Sequence, residues 1–508
     1  MLSIINSNNL IGLECFLVKV ETDITRGIPS FNIVGLPSTE IREARERVKS
    51  AIINSGYDFP NSRIIVNLSP ADMRKEGSFL DLPICIGILR KYINKNEPYL
   101  DECIFVGEVS LDGHIRKIKG ILPLVIGARE QNFKRIFIPY DNLKECNFID
   151  NIEIIPIKTI NECVNYLNDA YEIKSEYKDI IKNKNEKTYN EDFQEIKGNY
   201  FVKRSAEIAA AGNHNLLLIG PPGSGKTMIA KRIRTILPSL DKDEIIEISK
   251  IYSIAGLIDE KTGIISQRPF RSPHHSTTIQ SLIGGGVRCK PGEVVLSHRG
   301  VLFLDEIAEF DRKILESLRQ PMEDKYVNIS RVKYNIKYPS NMLVVGAMNP
   351  CPCGFYMSDK ECKCRSYEID RYKNKLSGPL LDRFDIFVEV NPIVCDELNK
   401  KSQGEKSEDI RKRVTKARQI QRERFKNDNI KSNNEMTSYM LDEYCNLNEE
   451  SMGLTNKIFD KYKLSNRSYT KLIKMARTIA DLEESKDIEA NHIIEAFSFR
   501  KAYYTYFR

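Results

Sequence analysis

The chain has 508 residues, enough for roughly two to four domains with substantial cores. Its composition, 41% hydrophobic and 29% charged with no tryptophan, is that of a soluble globular protein, and no apolar run has the length of a membrane span. The formal net charge of +7 permits an anionic partner without requiring one. Residues 1–5 show no secretory signal, so we expect a cytoplasmic protein whose 12 cysteines are reduced thiols or metal ligands.

Residues 1–168 have the pattern of an α/β domain. Ser38 is placed to cap a helix, and the apolar segment 81–89 predicts a buried helix. Alternating or apolar segments predict strands at 16–22, 31–37, 63–68 and 104–113, the last running into a hairpin turn. Residues 169–190 are rich in Lys, Glu and Asn and poor in apolar residues, which predicts a linker.

A phosphate-binding loop organises the central domain, residues 191–394. The apolar segment 216–219 predicts a buried strand, and apolar residues at helical spacing predict a helix after position 227. The segment between them fits the Walker A motif G-x-x-x-x-G-K-[ST] and consists of Gly220, Pro221, Pro222, Gly223, Ser224, Gly225, Lys226 and Thr227. Such a loop turns backbone N–H groups toward phosphate oxygens, so the sequence predicts an ATP site. The alternative is a glycine-rich turn in an ordinary α/β domain, which the correct flanks disfavour.

Several residues of this predicted site have distinct tasks. Lys226 would reach the β- and γ-phosphates, and Thr227 would bind Mg²⁺. The buried strand predicted at 300–304 ends at Asp305 and Glu306, which is typical of a Walker B element. Asp305 would hold the Mg²⁺ ion, and Glu306 would polarise the attacking water. The alternative is a strand that ends in a solvated acidic turn.

Residues 395–508 are predicted to form a helical domain. The polar segment 395–409 is interpreted as a linker or loop, and apolar spacing predicts helices over 411–425 and 468–484.

Four cysteines form the pattern C-x-C-x₈-C-x-C on a Gly- and Lys-rich loop, residues 351–364. They are Cys351, Cys353, Cys362 and Cys364. Four thiolates at this spacing would close a tetrahedral Zn²⁺ site of the structural kind. The alternative is a set of buried reduced thiols, because C-x-C is less diagnostic than C-x₂-C.

Several segments together resemble the ComM/YifB family of Mg-chelatase-like AAA+ ATPases. They are 31–37, 66–72, 271–275, 284–286, 349–354 and 477–482. The resemblance covers nearly the whole chain, and it implies a homo-hexameric ring ATPase. The lack of an apolar run of membrane-span length predicts that the protein has no membrane partner. Because the competence protein ComM of that family is a DNA branch-migration helicase, the resemblance also implies DNA, single-stranded or branched, as a partner. The implied fold is an N-terminal Lon-protease-like (ribosomal S5-like) domain, a central P-loop AAA+ α/β domain and a C-terminal helical lid.

The same resemblance implies roles for three residues outside the phosphate loop. Asn349, at the end of a core strand predicted at 343–348, stands at the sensor 1 position and would orient water or the γ-phosphate. Arg383 would act as an arginine finger on the nucleotide of a neighbouring subunit; the alternative is a local salt bridge to Asp382 or Asp385. Arg467 matches sensor 2, and the alternative is a charged helix start that faces solvent.

The N-terminal domain resembles the proteolytic domain of Lon proteases at residues 75–81, 107–113 and 118–122. That family uses a nucleophilic Ser and a Lys base. The corresponding positions are Phe79 and Leu122, while Ser78 and Lys119 are adjacent but out of register. Because nucleophile and base must meet within hydrogen-bonding reach, we predict a domain without proteolytic activity.

Two basic segments are candidates for DNA contact. Arg288, Lys290, His298 and Arg299 follow or flank three glycines, and Arg331 and Lys333 belong to a predicted β-hairpin. In this clade of AAA+ proteins an insert in the first region faces the central pore, and the hairpin would also face it. Arg288, Lys290, Arg331 and Lys333 would then grip a nucleic-acid backbone regardless of sequence. The alternative is a pair of solvated loops.

The favoured function is therefore an ATPase that moves on DNA. The alternative is a metal-insertion motor similar to the magnesium chelatase I subunit, which shares the AAA+ core. A protease is disfavoured by Phe79 and Leu122. A scaffold that only binds nucleotide is disfavoured by the full set of predicted catalytic residues.

Overall fold

The structure is a computed structural model that describes residues 1–75, 77–173, 189–286, 289–331, 334–356, 358–392 and 404–507. The described residues form two compact units: unit 1 draws on Met1–Glu186, Lys242–Ser266 and Ser330–Ile336, and unit 2 on Lys187–Asp241, Gln267–Ile329 and Lys337–Arg508. Most of the predicted linker at 169–190 lies outside the described residues, as do Arg288, Lys333 and the side chain of Arg331.

The strands are β1 Leu2–Ile11, β2 Glu14–Thr25, β3 Ser30–Val34, β4 Arg63–Ser69, β5 Cys103–Phe105, β6 Glu108–Val109, β7 Ile115–Arg116, β8 Arg135–Pro139, β9 Glu153–Ile157, β10 Leu216–Ile219, β11 Phe270–Arg271, β12 Gly284–Gly285, β13 Lys290–Pro291, β14 Val301–Leu304, β15 Tyr326–Arg331, β16 Tyr334–Pro339, β17 Leu343–Met348 and β18 Ile386–Glu389.

The helices are α1 Thr39–Asn54, α2 Asp81–Ile88, α3 Glu97–Asp101, α4 Ile121–Glu130, α5 Leu143–Cys146, α6 Ile160–Leu167, α7 Tyr200–Gly212, α8 Lys226–Ile236, α9 Lys242–Ala255, α10 Ile279–Ile283, α11 Glu293–Leu296, α12 Arg312–Ser317, α13 Arg319–Asp324, α14 Ser366–Lys373, α15 Gly378–Leu381, α16 Ser407–Arg424, α17 Ser438–Tyr444, α18 Glu449–Tyr462, α19 Asn466–Leu482 and α20 Ala490–Tyr506. Within the described ranges, none of these helices combines the length and apolarity needed to cross a membrane.

Unit 1 contains a four-stranded sheet in the order β1-β2-β4-β3 and a three-stranded parallel sheet in the order β5-β8-β9. The predicted cap is present, since Ser38 Oγ accepts a hydrogen bond from the amide of Ile41 at 3.4 Å. The predicted buried helix at 81–89 is α2, whose residues are all buried. β1 was not predicted, because its buried face includes Asn and Ser residues that hide the apolar alternation.

The single strand predicted at 104–113 is wrong in detail. The chain forms β5, leaves that sheet, and then forms β6, which pairs with β7 in a hairpin. The break occurs where the amide of Gly107 donates to Phe79 O at 2.8 Å and Gly107 O accepts from the amide of Leu82 at 3.0 Å. These two bonds direct the backbone of Gly107 away from the sheet ladder.

Unit 2 contains a five-stranded parallel sheet in the order β11-β14-β17-β10-β18. All residues of β10, β14 and β17 are buried, as expected for strands covered on both faces. The predicted helices at 411–425 and 468–484 are α16 and α19. The α/β core with a helical C-terminal region confirms the predicted fold class.

Two segments differ from their predicted assignment to domains or linkers. Residues 242–266 group with unit 1, where the amide of Gly120 donates to Ser253 O at 3.0 Å and Ser253 Oγ donates to Glu145 at 3.1 Å. The polar segment predicted at 395–409 lies outside the described residues up to position 403, and its last residues begin α16. Ser407 starts this helix, and its hydroxyl accepts from the amide of Phe193 at 2.7 Å. The predicted domain boundaries remain predictions.

Candidate nucleotide-binding site

The predicted nucleotide-binding residues lie at one edge of the sheet of unit 2. β14, β17 and β10 are neighbours in this sheet, and the carboxyl ends of parallel strands meet at the same edge. Asp305 and Glu306 follow β14, Asn349 follows β17, and the phosphate loop, residues 220–227, follows β10. The topology thus brings together three segments that are far apart in the chain.

The phosphate loop has the backbone geometry that its glycines permit. Gly223 and Gly225 have φ values of +78° and +89°, in the left-handed region that residues with a Cβ rarely adopt. The amide of Gly220 donates to Met348 O at 3.1 Å, which ties the start of the loop to the end of β17. Ser224 Oγ is buried without a hydrogen-bond partner among the described residues. A phosphate oxygen would satisfy such a donor.

Lys226 lies inside the loop. Its Nζ donates to Gly220 O at 2.7 Å, to Pro221 O at 2.9 Å and to Asn349 Oδ1 at 3.3 Å. Burial lowers the pKa of Lys226, and the negative charges of Asp305 and Glu306 oppose this shift. The ammonium group is thus held beside Asn349 at the point where the loop would surround a phosphate group.

Thr227 and Asp305 form the part of the site that fits a magnesium ion. Thr227 Oγ1 donates to Asp305 Oδ2 at 2.8 Å, so a hydroxyl and a carboxylate lie side by side. Oxygen ligands of this type suit Mg²⁺, which binds through few protein groups and keeps several waters. The contact also distinguishes Asp305 from a residue of a solvated acidic turn. The residues present therefore fit both ATP and Mg²⁺.

Glu306 is exposed and has a strained backbone. Its φ is +49°, which is uncommon for a residue other than glycine, and its amide donates to Asp305 Oδ1 at 3.0 Å. Strain of this kind persists where the surrounding structure fixes a conformation and is frequent at functional sites. It is consistent with the water-polarising role predicted for Glu306.

The predicted finger and sensor 2 arginines share one acidic partner that the sequence did not reveal. Arg383 forms an ion pair with Glu323 and donates to Pro379 O at 3.0 Å. Arg467 Nη2 lies 2.8 Å from the other carboxylate oxygen of Glu323. The alternative of a local salt bridge for Arg383 named Asp382 or Asp385 as the partner; the structure shows a local ion pair with Glu323 instead, and Asp385 pairs with Lys471. Arg467 is 40% exposed but is also paired with Glu323. Glu323 is near the end of α13, and no local motif identifies it.

A buried ionic network lies directly beside Arg383. Asp385 is within 2.8 Å of Lys471 Nζ, accepts from the amide of Asn215 at 2.9 Å and lies 3.8 Å from the ring of His214. Burial lowers the pKa of Lys471 to about 8. Burial alone would raise the pKa of Asp385, but the positive charge of Lys471 holds it well below its ordinary value. The network fixes the segment around Arg383 to α19 and to the start of β10.

The four predicted metal ligands come together in space. Cys351 Sγ lies 3.3 Å from Cys353 Sγ and 3.7 Å from Cys362 Sγ, and the latter two are 3.6 Å apart. All four sulfur atoms, including that of Cys364, lie within 4.8 Å of one another. Zn–S bonds of about 2.3 Å in a tetrahedron place sulfur atoms about 3.8 Å apart, so the arrangement fits zinc. The amide of Tyr356 also donates to Cys351 Sγ at 3.3 Å, and hydrogen bonds of this kind orient the ligands of metal sites.

Of the four predicted DNA-contact residues, the structure describes Lys290 and the backbone of Arg331, which lie on two hairpins. In the first, β12 and β13 pair Gly285 with Lys290, whose side chain is exposed. The second, β15 and β16, is the two-stranded hairpin expected before the sensor 1 strand. Tyr338 on β16 donates to Cys289 O at 3.0 Å, which links the two hairpins. The side chains of Arg288, Arg331 and Lys333 are among those that the structure does not describe.

His298 does not belong to an exposed basic patch. Its side chain is only 2% exposed, and its Nδ1 accepts from the amide of Asn341 at 3.0 Å. It lies just after α11, at the turn before β14, where the chain enters the core. The expectation that His298 takes part in the basic patch is therefore wrong. Lys290, by contrast, is exposed, as a DNA-contact residue needs to be.

In unit 1, the two positions that correspond to the Lon nucleophile and base are buried and apolar. Phe79 is 8% exposed and Leu122 is fully buried. The hydroxyl of Ser78 donates to the carboxylate of Glu108. Lys119 lies against Gly256, where a methyl group would be 2.7 Å from its Cε. These positions agree with the prediction of a domain without proteolytic activity, which remains a prediction.

Family comparisons match the chain in three consecutive segments. Residues 20–142 match the family described as "Subunit ChlI of Mg-chelatase", residues 192–398 match "Magnesium chelatase, subunit ChlI", and residues 404–500 match "Magnesium chelatase, subunit ChlI C-terminal". The matches follow the order of the three predicted domains and together cover well over half of the chain.

Two relatives are similar over nearly their whole length. The competence protein ComM of Haemophilus influenzae is 38% identical over 98% of this chain and 97% of its own. The uncharacterized protein YifB of Escherichia coli is also 38% identical, with the same two shares. The magnesium-chelatase 67 kDa subunit of Heliobacterium mobile is 26% identical over 30% of this chain and 27% of its own. The chain belongs to the ComM/YifB family of Mg-chelatase-like AAA+ ATPases.

Proposed function

We propose that this ATPase motor couples ATP hydrolysis to movement on single-stranded or branched DNA. The observation that carries the proposal is the assembly of Lys226, Thr227, Asp305 and Asn349 at one sheet edge, in the same unit as a hairpin that carries the exposed Lys290. The first feature supplies the chemistry of a nucleotide-driven motor. The second offers cationic contacts of the kind that bind a phosphate backbone without regard to sequence.

Each residue of the site has a task in this proposal. The phosphate loop and Lys226 bind the β- and γ-phosphates, and Thr227 and Asp305 hold Mg²⁺, which would neutralise charge on the transferring phosphoryl group. Glu306 polarises the attacking water, while Asn349 orients that water or the γ-phosphate. Enzymes accelerate phosphoryl transfer mainly by positioning the reactants and stabilising charge, so the main requirement on these residues is that the fold holds them in place.

The ATPase site is completed in a homo-oligomeric ring, which we take to be a hexamer. Arg383 and Arg467 meet at Glu323, so two cations with predicted roles at a nucleotide lie together on one surface of unit 2. A neighbouring subunit that presents its phosphate loop to this surface would gain both cations. The arrangement therefore supports a nucleotide site shared between subunits in a cytoplasmic ring.

Stimulation of the ATPase by DNA tests the proposed substrate. We expect single-stranded DNA and a four-way junction to raise the ATPase rate. Lys290→Ala should weaken DNA binding and make the slope of log K against log salt shallower by about one, because one cation is removed from the phosphate backbone. Binding is measured by fluorescence anisotropy at several salt concentrations.

Lys457→Ala is the control for this experiment, because Lys457 is an exposed lysine on α18 and the substitution removes the same charge. It should leave DNA affinity unchanged. The proposal of a DNA motor would be contradicted if the protein shows no measurable DNA binding and if neither single-stranded DNA nor the four-way junction changes the ATPase rate.

A metal-insertion motor is the second candidate. The support for it is the similarity to the magnesium-chelatase 67 kDa subunit, which covers 30% of this chain, whereas the similarity to the competence protein ComM covers 98%. The wider similarity favours DNA. If the protein hydrolyses ATP but DNA neither binds to it nor changes the rate, metal insertion becomes the favoured function.

We further propose that the cysteine loop, residues 351–364, holds one structural Zn²⁺ through its four thiolates. The sulfur separations and the amide donor on Cys351 support a closed tetrahedral site, in which no position remains open for catalysis. Protein purified in metal-free buffer should contain about one zinc per chain by mass spectrometry. A content below about half an equivalent would count against the site and in favour of free thiols.

A further inference from the structure

The cysteine loop touches the phosphate loop directly. A methyl group built on Gly354 would lie 2.5 Å from Cδ and 2.8 Å from Cγ of Pro222, so only a glycine allows this approach. Gly354 also has a φ of +86°, which further favours glycine at this position. Gly354 lies directly after Cys353, and Pro222 lies within the Walker A motif. The two sites are therefore in van der Waals contact through one glycine and one proline.

A second link runs through the sensor 1 residue. Asn349 stands two positions before Cys351 and accepts a hydrogen bond from Lys226 Nζ at 3.3 Å. Cys351 is fully buried, and its sulfur lies within 3.7 Å of those of Cys353 and Cys362. A metal bound to Cys351 would thus restrain the backbone that presents Asn349 to the phosphate loop.

A third contact holds the other side of this segment. The hydroxyl of Tyr506, near the end of α20, donates to Pro350 O, the carbonyl between Asn349 and Cys351. Lys373 Nζ lies 4.4 Å from the centre of the Tyr506 ring. The residues that join sensor 1 to the cysteines are therefore held between the phosphate loop and the last helix of unit 2.

The hydrogen bonds that the structure describes within the cysteine loop are short-range, such as that from the amide of Gly354 to Cys351 O at 3.0 Å and that from Ser358 Oγ to Phe355 O at 2.8 Å. The described residues between positions 351 and 364 form neither helix nor strand, and Cys353, Cys362 and Cys364 are partly exposed. A segment with few buried apolar groups gains its order from cross-links, and the free energy of metal binding then becomes the free energy that orders the loop. The position of Gly354 against Pro222 would depend on that order.

We infer that the cysteine loop is a metal-dependent brace for the nucleotide site, through which Zn²⁺ sets the affinity for ATP. This inference rests on the proposed zinc and nucleotide sites and assigns the metal a function in addition to local folding. Binding of zinc aligns Gly354 with Pro222 and Asn349 with Lys226. Loss of zinc frees both contacts and lowers ATP affinity without removing any residue that touches the nucleotide.

Two variants test the brace by separate routes. Gly354→Ala should retain about one zinc per chain but lower ATP affinity by about tenfold to a hundredfold, because displacing a binding group by about 1 Å has effects of this order. Cys362→Ser should lose zinc and lower ATP affinity to a similar extent. Zinc is measured by mass spectrometry, and affinity by titration with a fluorescent ATP analogue in the absence of DNA.

Gly56→Ala is the matched control, because Gly56 has the same φ of +86° but no described atom within 4 Å of an added methyl group. It should bind ATP as the parent does. A Cys362→Ser protein that lacks zinc and binds ATP with parental affinity, while its thermal unfolding shows that it is folded, would overturn the inference. So would unchanged affinity in Gly354→Ala. Neither readout involves DNA, so failure of the DNA motor would leave this test intact.

Discussion

Lys226→Ala is expected to lose both ATP binding and ATP hydrolysis. The Lys226 ammonium group lies inside the phosphate loop and donates to Gly220 O, Pro221 O and Asn349. Removing a preorganised cationic donor from such a site costs about 10²–10³-fold in rate, and here the same group also contributes to ground-state binding. ATP affinity is measured with a fluorescent analogue, and hydrolysis by phosphate release under saturating ATP.

Lys231→Ala provides the matched control, since Lys231 is exposed on the same helix, α8, outside residues 220–227. Alanine is also a good helix former, so the control should not weaken α8. We expect parental affinity and rate for this variant. Parental ATP affinity in Lys226→Ala itself would show that residues 220–227 are a glycine-rich turn of another kind.

Local patterns predicted the elements of the nucleotide site well. The apolar strand before Gly220 and the isoleucines at helical spacing after Thr227 correspond to β10 and α8, because strand, loop and helix are all determined by neighbours in sequence. The same holds for the cap at Ser38. β1 was not predicted, because its structure depends on residues distant in sequence. Its buried Asn and Ser side chains bond to distant backbone groups, as Ser7 Oγ does to Phe105 O at 2.8 Å.

Partners that meet only in the folded chain could not be predicted. Glu323 joins Arg383 and Arg467 from a helix that carries no motif, and Asp385 joins Lys471 across 86 positions. Lys471 stands four positions before the buried Met475 on α19, but Ser468, Lys474 and Thr478 also lie at helical spacing, so no apolar pattern marks it. The contact of the cysteine loop with Pro222 could not be predicted from the sequence, because a glycine after a cysteine occurs in many kinds of turn and does not identify a distant partner.

The shared partner Glu323 sharpens the question of what Arg383 does. An arginine paired only within its own chain would hold α13 in place through an ion pair, and its loss would affect stability rather than the chemistry of ATP. An arginine that completes a neighbour's site would instead affect hydrolysis by orders of magnitude. The side chain of Arg467 is 40% exposed, whereas that of Arg383 is 11% exposed, so Arg383 would have to exchange Glu323 for the nucleotide when a neighbouring subunit docks.

Arg383→Ala is therefore expected to bind ATP normally and to lose hydrolysis by about 10³-fold or more, as removal of a finger does in other phosphoryl-transfer ATPases. Glu323→Gln is the control for a role within the chain, because it breaks the ion pair but keeps Arg383; it should retain most of the ATPase rate.

Mixing two variant subunits distinguishes a finger that acts on a neighbouring subunit from an ion pair within one chain. Arg383→Ala subunits have an intact phosphate loop, and Lys226→Ala subunits have an intact finger.

In a mixed ring, an Arg383→Ala subunit beside a Lys226→Ala subunit would hold a complete site at their junction. We expect the mixture to recover ATPase activity that neither variant shows alone, with a maximum near equal proportions. Light scattering and differently tagged subunits establish that mixed rings form. Mixed rings that stay inactive, or an Arg383→Ala protein that turns over at the parental rate, would place Arg383 in a purely local ion pair and remove the main structural support for a site shared between subunits.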